Sequence, residues 1–387
     1  MRNRIFLLLF AVLMIVVLMD CRRDPKMSLN NNPNDPDSLY QGTKYNIYSG
    51  PNANAIAFAL PTLTNPYKDS LTVEGILLGR RLFYDKHLST NGQMACASCH
   101  LLNRAFADSI PIATNVFGPN KRKAPRLVNL AWQPAFFWDG RQPTIAAQAQ
   151  DAAHNELGIN VSSTGVIAYL QADTVYAKLF KKAFGRPGIV TEREIYLGIQ
   201  EFLMTVISVN SRFDSLQRGQ ANYTNEELDA FQNIFLATQG ECLHCHAGSK
   251  FVMANFGFGQ VYKNNGLQAA NSVDGYVDAG RGGITGDSAD YGLFKNPTLR
   301  NVAVGGPYMH DGRYQTLQQV INFYSDSLKM SPNADPFIVL HMDTANGQRL
   351  STGGMHLSPT QKAELLTLLQ DMTDTSYLNN PAFKNPF

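Results

Sequence analysis

Four scarcities narrow the reading of this chain of 387 residues. Net charge is only +2 at pH 7, with 33 Lys and Arg against 31 Asp and Glu. That balance gives no electrostatic case for nucleic acid or for a strongly charged partner. The single long apolar run, Ile5 to Met19, has fifteen residues, short of the roughly 20 that a membrane-spanning helix needs. Cysteine is scarce as well: there are five, and four of them fall in two copies of one short pattern, so none remains for a disulfide. Period-2 alternation is rare too, which argues against a large sheet.

The apolar run follows Arg2 and Arg4, the arrangement of an export signal. It closes on Cys21, which is similar to the lipidated cysteine of a bacterial lipoprotein, and the polar stretch Arg22 to Asp37 reads as a tether. Asp20 stands where such signals usually carry a small residue, so an ordinary signal with an incidental cysteine is the alternative. The expectation is a signal over 1–21 and a linker over 22–60 rich in Asn, Asp, Pro and Ser. It makes the protein periplasmic and anchored to the membrane through Cys21.

The two cysteine patterns are Cys96-Ala-Ser-Cys99-His100 and Cys242-Leu-His-Cys245-His246. Cys-x-x-Cys-His is the attachment site of a c-type haem. Its two thiols reach the two vinyl groups of one porphyrin, and the histidine binds iron from below. Zinc or a redox dithiol is the rival for Cys-x-x-Cys. A histidine after both pairs, and an export signal in front, favour two covalently bound haems c.

Helix signals dominate the rest. Thr191-x-x-Glu194 is a capping box before Ile195, Ile199, Phe202, Leu203 and Val206. Thr224-x-x-Glu227 opens a second stripe that runs into the second haem motif, and Ser358-Pro359-x-Gln361 a last one with Leu365, Leu366, Leu369 and Met372. The Gly-rich stretch Gly275 to Gly292 reads as loop. An order also repeats: haem motif, Ala124-Pro-Arg-Leu-Val-Asn129, Trp138-Asp-Gly-Arg141; then haem motif, Asn296-Pro-Thr-Leu-Arg-Asn301, His310-Asp-Gly-Arg313. The expected fold is therefore mainly α with little β, two haem domains from an internal duplication over 61–187 and 188–387. The boundary falls near Pro187.

Leu78-Gly-Arg-Arg-Leu-Phe-Tyr-Asp85 leads into the first haem motif, and Phe136-Phe-Trp-Asp-Gly-Arg141 follows it. Pro297-Thr-Leu-Arg-Asn301 and Pro307-Tyr-Met-His-Asp-Gly312 follow the second. With these segments in this order, the chain from about Thr72 to its end, some four-fifths of the whole, resembles the bacterial di-haem cytochrome c peroxidases and the related MauG enzymes. The resemblance implies two cytochrome c-like domains that reduce hydrogen peroxide to water, with a small cytochrome c or cupredoxin as electron donor and a homodimer as the assembly. A MauG-like enzyme that oxidises side chains of a partner protein is the alternative in the same class. A non-catalytic electron-transfer cytochrome is the alternative outside it.

The same resemblance assigns residues. The haem on His100 is the peroxide site, with Gln148, ten residues past Trp138, and Glu156 in its distal pocket. Asp151 is the other acidic residue near enough. Glu156 follows Gln148 two residues sooner than is usual, and the family's nearby prolines are absent. A carboxylate there can relay a proton between the two peroxide oxygens before their bond breaks; on its own, Glu156 reads as a solvated residue at a helix end. Relatives often cap the peroxide-site iron with a histidine, but none lies between Leu101 and Ala153, so the first haem is expected to be open. Tyr324, fourteen residues past His310, stands where many peroxidases place a methionine ligand and MauG a tyrosine; Met330 and Met342 are its rivals. Trp138 is implied to relay electrons between the haems, although alone it reads as a core aromatic. Arg141 and Arg313 either pair with haem propionates or hold their own turns. Carbonyls of Gly305 and Pro307 are the implied calcium ligands, with Lys123 where the family has an asparagine.

Overall fold

Hydroxyl caps set the helix starts. Thr72, Thr144, Thr191, Thr224, Thr316 and Ser358 each accept a backbone N–H from their own first turn, satisfying a donor the helix leaves unpaired. They open the helices Val73–Tyr84, Ile145–Glu156, Glu192–Met204, Asn225–Asp229, Leu317–Asp326 and Pro359–Gln370. The stripes Ile195, Ile199, Phe202, Leu203 and Leu365, Leu369, Met372 are buried, and Leu366 packs at the core edge. After Asp229 the backbone widens into a π-helix, Ala230–Leu236, on the way to the second haem motif. The Gly275 to Gly292 stretch is loop apart from short turns, among them Gly282–Thr285.

The computed structural model describes residues 42–60, 63, 70–158, 165–185, 189–236, 240, 242–246 and 261–387. Cys21, the apolar run and the signal lie outside them, as does Pro187. All described residues fall in one compact unit, Leu39–Phe387, and none of their helices is long and apolar enough to cross a membrane. The fold is mainly helical. Sheet is limited to two short antiparallel pairs and a three-stranded antiparallel sheet with Gln348–Gly353 between Leu328–Lys329 and Met342–Ala345.

Two apolar cores form. One gathers Leu78, Leu82, Phe83, Phe106, Ile145 and Phe202; the other gathers Phe235, Ile321, Phe323, Leu365 and Leu369. The chain passes from one to the other between Val206 and Phe213, later than the expected boundary near Pro187. Helix Glu192–Met204 belongs to the first core, because Gly79 and Gly198 let it press on Val73–Tyr84. A Cβ at Gly79 would run into the Gly198 carbonyl. The chain's end returns to the first core too: Tyr84 Oη donates to the Phe383 carbonyl and Tyr377 Oη to that of Leu127, both at 2.6 Å. An apolar stripe announces burial but not the partner, so neither return is readable from spacing. Order also begins before Pro61: helix Ala53–Ala59 in the expected linker packs Ile56 and Ala59 with Val209.

The repeated segments share a backbone. Asn129 and Asn301 are both left-handed, at φ 53° and 56°, and so are Phe137 and Met309, Gly140 and Gly312. Each segment closes with an antiparallel bridge, Phe136 to Gln142 and Tyr308 to Tyr314. The two asparagines converge on one residue. Asn129 exchanges two bonds with the Ser208 backbone, and Asn301 Nδ2 donates to Ser208 Oγ at 2.9 Å.

Candidate active site

Each haem motif is one turn of helix, Cys96–Cys99 and Cys242–His246. His100 Nδ1 donates to the Phe106 carbonyl at 2.7 Å, and His246 Nδ1 to that of Pro297 at 2.9 Å. A carbonyl can only accept, so Nδ1 carries the proton and Nε2 keeps its lone pair for a metal. Burial lowers both imidazoles, His246 to about 4, which keeps them neutral as ligation requires. The thiols of Cys96, Cys99 and Cys242 are pushed the other way, to about 12, by burial. His244, Cys245 and Asp335 also offer ligand atoms within 4.8 Å of one another. The Lys263 ammonium, 2.6 Å from Asp335, already supplies positive charge there.

Glu156 ends helix Ile145–Glu156, half-buried, and burial raises its carboxyl above the ordinary value although Arg141 and Asn120 oppose this. Its charge acts on both Cys96 and Cys99. Thr90, in the loop before the first motif, donates twice to the Leu157 carbonyl and so stitches this helix end beside the motif. Gln148 is half-buried two turns earlier on the same helix, roughly 80° round the axis from Glu156 at 3.6 residues per turn. Asp151 differs from Glu156. It accepts from Arg141, Gln142 and Asn155, and its carboxyl is held low.

The second motif opens onto a cavity of about 1740 Å³, part of it continuous with solvent. Cys242, Cys245 and His246 form one wall, and Tyr324 with apolar residues such as Ile321 and Leu365 form others. Met330 and Met342 do not line it; the lining methionines are Met309 and Met355. Burial raises the Tyr324 phenol, and Asn265 Nδ2 donates to its oxygen at 3.1 Å.

Trp138 and Lys123 stand on the same cavity, between the two motifs in the chain. Trp138 Nε1 donates to the Lys123 carbonyl at 2.8 Å, while the Lys123 N–H donates to that of His310. His310 stacks on Phe294 with ring centroids 3.8 Å apart. Arg141 holds Asp139 and Asp151, and Arg313 holds Asp311, so both arginines brace their own turns. Gly140 is left-handed, and a side chain there would strike Tyr262.

The turn that carries the implied calcium ligands is flanked by arginine side chains. Arg104 Nη1 donates to the Gly306 carbonyl at 3.1 Å, and the Arg126 side chain fills the space where a Gly305 Cβ would lie. Buried Lys123, pushed down to about 8 by burial, donates from Nζ to the Asp108 carbonyl and feels the charge of both arginines. Basic side chains thus stand beside this turn, and a bound calcium there would have to compete with their charge.

The family described as di-haem cytochrome c peroxidase matches residues 73–222. The methylamine utilization protein MauG of Methylorubrum extorquens is 33% identical over 267 residues, 68% of this chain and 72% of that protein. The chain belongs to the di-haem cytochrome c peroxidase family. Within that family, the cytochrome c551 peroxidase of Nitrosomonas europaea is 33% identical over 248 residues, 63% of this chain and 70% of its own. Among solved structures, a MauG-like protein associated with microbial copper homeostasis gives a TM-score of 0.70 at 30% identity, over 85% of this chain and 96% of that one. Members of a di-haem peroxidase family are oxidoreductases that carry two haems c, and the two histidines fit that cofactor.

Sequence reasoning missed the groups that prepare the site of this di-haem peroxidase. The Phe106 and Pro297 carbonyls orient the histidines, yet a carbonyl has no sequence signature. Pro297 does recur as Pro125 in the first repeat, and the Pro125 carbonyl also acts on His100; the repeat was the available signal. Lys295, lowered to about 7 by burial, and Asn265 line the second cavity without any motif.

Proposed function

We propose that the protein reduces hydrogen peroxide to water with electrons from a small external donor of the cytochrome c or cupredoxin class. One observation carries the reading: two Cys-x-x-Cys-His turns with Nε2 left for iron, and beside the first a carboxyl group raised by burial. When bound, the haems supply the iron redox chemistry on which peroxide is split. Cys96, Cys99 and His100 hold one, and Cys242, Cys245 and His246 the other. Glu156 accepts the proton of one peroxide oxygen and returns it to the other, while the Gln148 amide orients the peroxide from the same helix face. No imidazole from 101 to 153 competes for that side. Trp138 would provide the aromatic bridge for electrons between the lobes, and Tyr324 would hold the second haem's iron together with His246. The matching backbones of the two repeats support a duplicated haem unit as their origin. The basic residues and apolar run ahead of Cys21 support export to the periplasm, with Cys21 carrying a lipid anchor.

The test adds one equivalent of hydrogen peroxide to the fully oxidised protein and follows the haem absorption spectrum. A prompt change without reductant is expected, and an unchanged spectrum overturns the open first site. Tyr324 on the second cavity favours a second reading, oxidation of a partner protein's side chains. An oxidised spectrum that persists for minutes and then decays on adding that partner distinguishes it.

A further inference from the structure

We propose that Asn265 tunes the second haem by donating a hydrogen bond to the axial oxygen of Tyr324; this rests on Tyr324 being that haem's far-side ligand. Asn265 Nδ2 lies 3.1 Å from Tyr324 Oη and 3.8 Å from Met309 Sδ, and all three residues line the cavity beside His246. The sulfur decides which end of the amide faces inward. A thioether has no proton and can only accept, so the group that touches it is the NH2. Tyr324 Oη therefore accepts a hydrogen bond from Asn265 rather than donating one to it.

The amide is held in place by its neighbours. Asn264, buried beside it, donates to Tyr276 Oη at 2.9 Å and Ser331 Oγ at 3.0 Å, and its Oδ1 accepts from the Gly266 N–H. The carbonyls of Asn264 and Gly266 accept from Asp335 and Lys329. Asn265 thus sits on a turn tied from both sides, a preorganised donor aimed at one oxygen. A hydrogen bond to a ligating oxygen withdraws electron density from it, weakening its support of ferric iron, so Asn265 raises the reduction potential of the second haem. It is a positioning and tuning residue, and does not touch peroxide.

The experiment measures both haem potentials and the ferric absorption spectrum of the intact two-haem protein. Asn265→Leu removes both donors without adding charge and lowers the second haem's potential, leaving the first unchanged. Asn265→Asp keeps the shape while losing the donors, and shifts the potential in the same direction if the leucine variant folds poorly. The decisive control is the double variant: in a Tyr324→Phe background, Asn265→Leu has no further effect, because the two residues act through one bond. If Tyr324→Phe changes the spectrum but neither Asn265 variant moves the potential, the tuning role is overturned and the ligand reading stands. An equal shift with and without Tyr324 assigns the effect to general polarity and also overturns the proposal. A Tyr324→Phe spectrum identical to the parent overturns both.

Discussion

Trp138 and His310 stand at the same place in the two repeated segments, and their rings meet edge to face with centroids 6.5 Å apart and planes at 67°. Lys123 joins them through its backbone, accepting from Trp138 and donating to His310. The contact is the one place where corresponding side chains of the two segments touch through their aromatic faces among the described residues.

Trp138→Phe keeps an aromatic ring but loses the indole and its bond to Lys123. Both haems should attach and show parent-like resting spectra. Steady-state peroxide turnover should fall by about tenfold or more, equivalent to roughly 1.4 kcal/mol on the barrier. Turnover at the parent rate excludes Trp138 from the electron path.

Glu156→Gln removes the proton acceptor at nearly constant shape. General acid–base groups contribute about 10²–10⁴-fold, so the peroxide reaction should slow by about 100-fold or more. Because burial raises the Glu156 carboxyl above the ordinary 4.5, it needs a higher pH to ionise than an exposed glutamate. The parent rate should therefore fall as pH drops through that raised value, and stopped-flow profiles of the variant should lack this limb.

Chelation tests the cation cluster. With Arg104 on the Gly306 carbonyl and Arg126 against Gly305, EDTA should leave turnover and both haem spectra unchanged, and added calcium should not restore anything. Loss of activity on chelation, recovered by calcium alone, contradicts the assignment.

Asp214 and Arg300 form a two-point ion pair at 2.8 Å per bond, each side chain 3% exposed. Burial raises the Asp214 carboxyl, but the Arg300 guanidinium outweighs this and holds it below the ordinary 3.8. A lowered folded-state value means the stabilisation is present above the unfolded-state value and is lost as pH falls through the folded one. Asp214→Ala should cost about 3–5 kcal/mol at pH 7 by leaving a buried guanidinium unpaired. Thermal melts should show that deficit shrinking on the acid side of 3.8.

What the sequence made legible was local. The haem motifs are contiguous, so five residues announce their chemistry, and caps such as Thr191 with Glu194 lie within one turn of what they bind. The family, and with it the enzyme class, could be read from ordered motifs. Long-range partnerships could not. Asn265 meets Tyr324 across 59 positions and His246 meets Pro297 across 51, and nothing in either residue's neighbourhood marks the other. The Glu192–Met204 helix showed its apolar stripe but not which core would take it. Ala53–Ala59 is seven residues with no side-chain cap, too short to declare itself before Val209 covers it.

The packing of Tyr377 and Phe383 in the first core ties distant parts of the chain together. The lobe that holds Cys96 and Cys99 takes part of its interior from residues some 280 positions further on. Neither haem motif therefore sits in a lobe built from its own stretch of chain alone, and a change near Phe383 reaches the first motif as directly as one near Phe83.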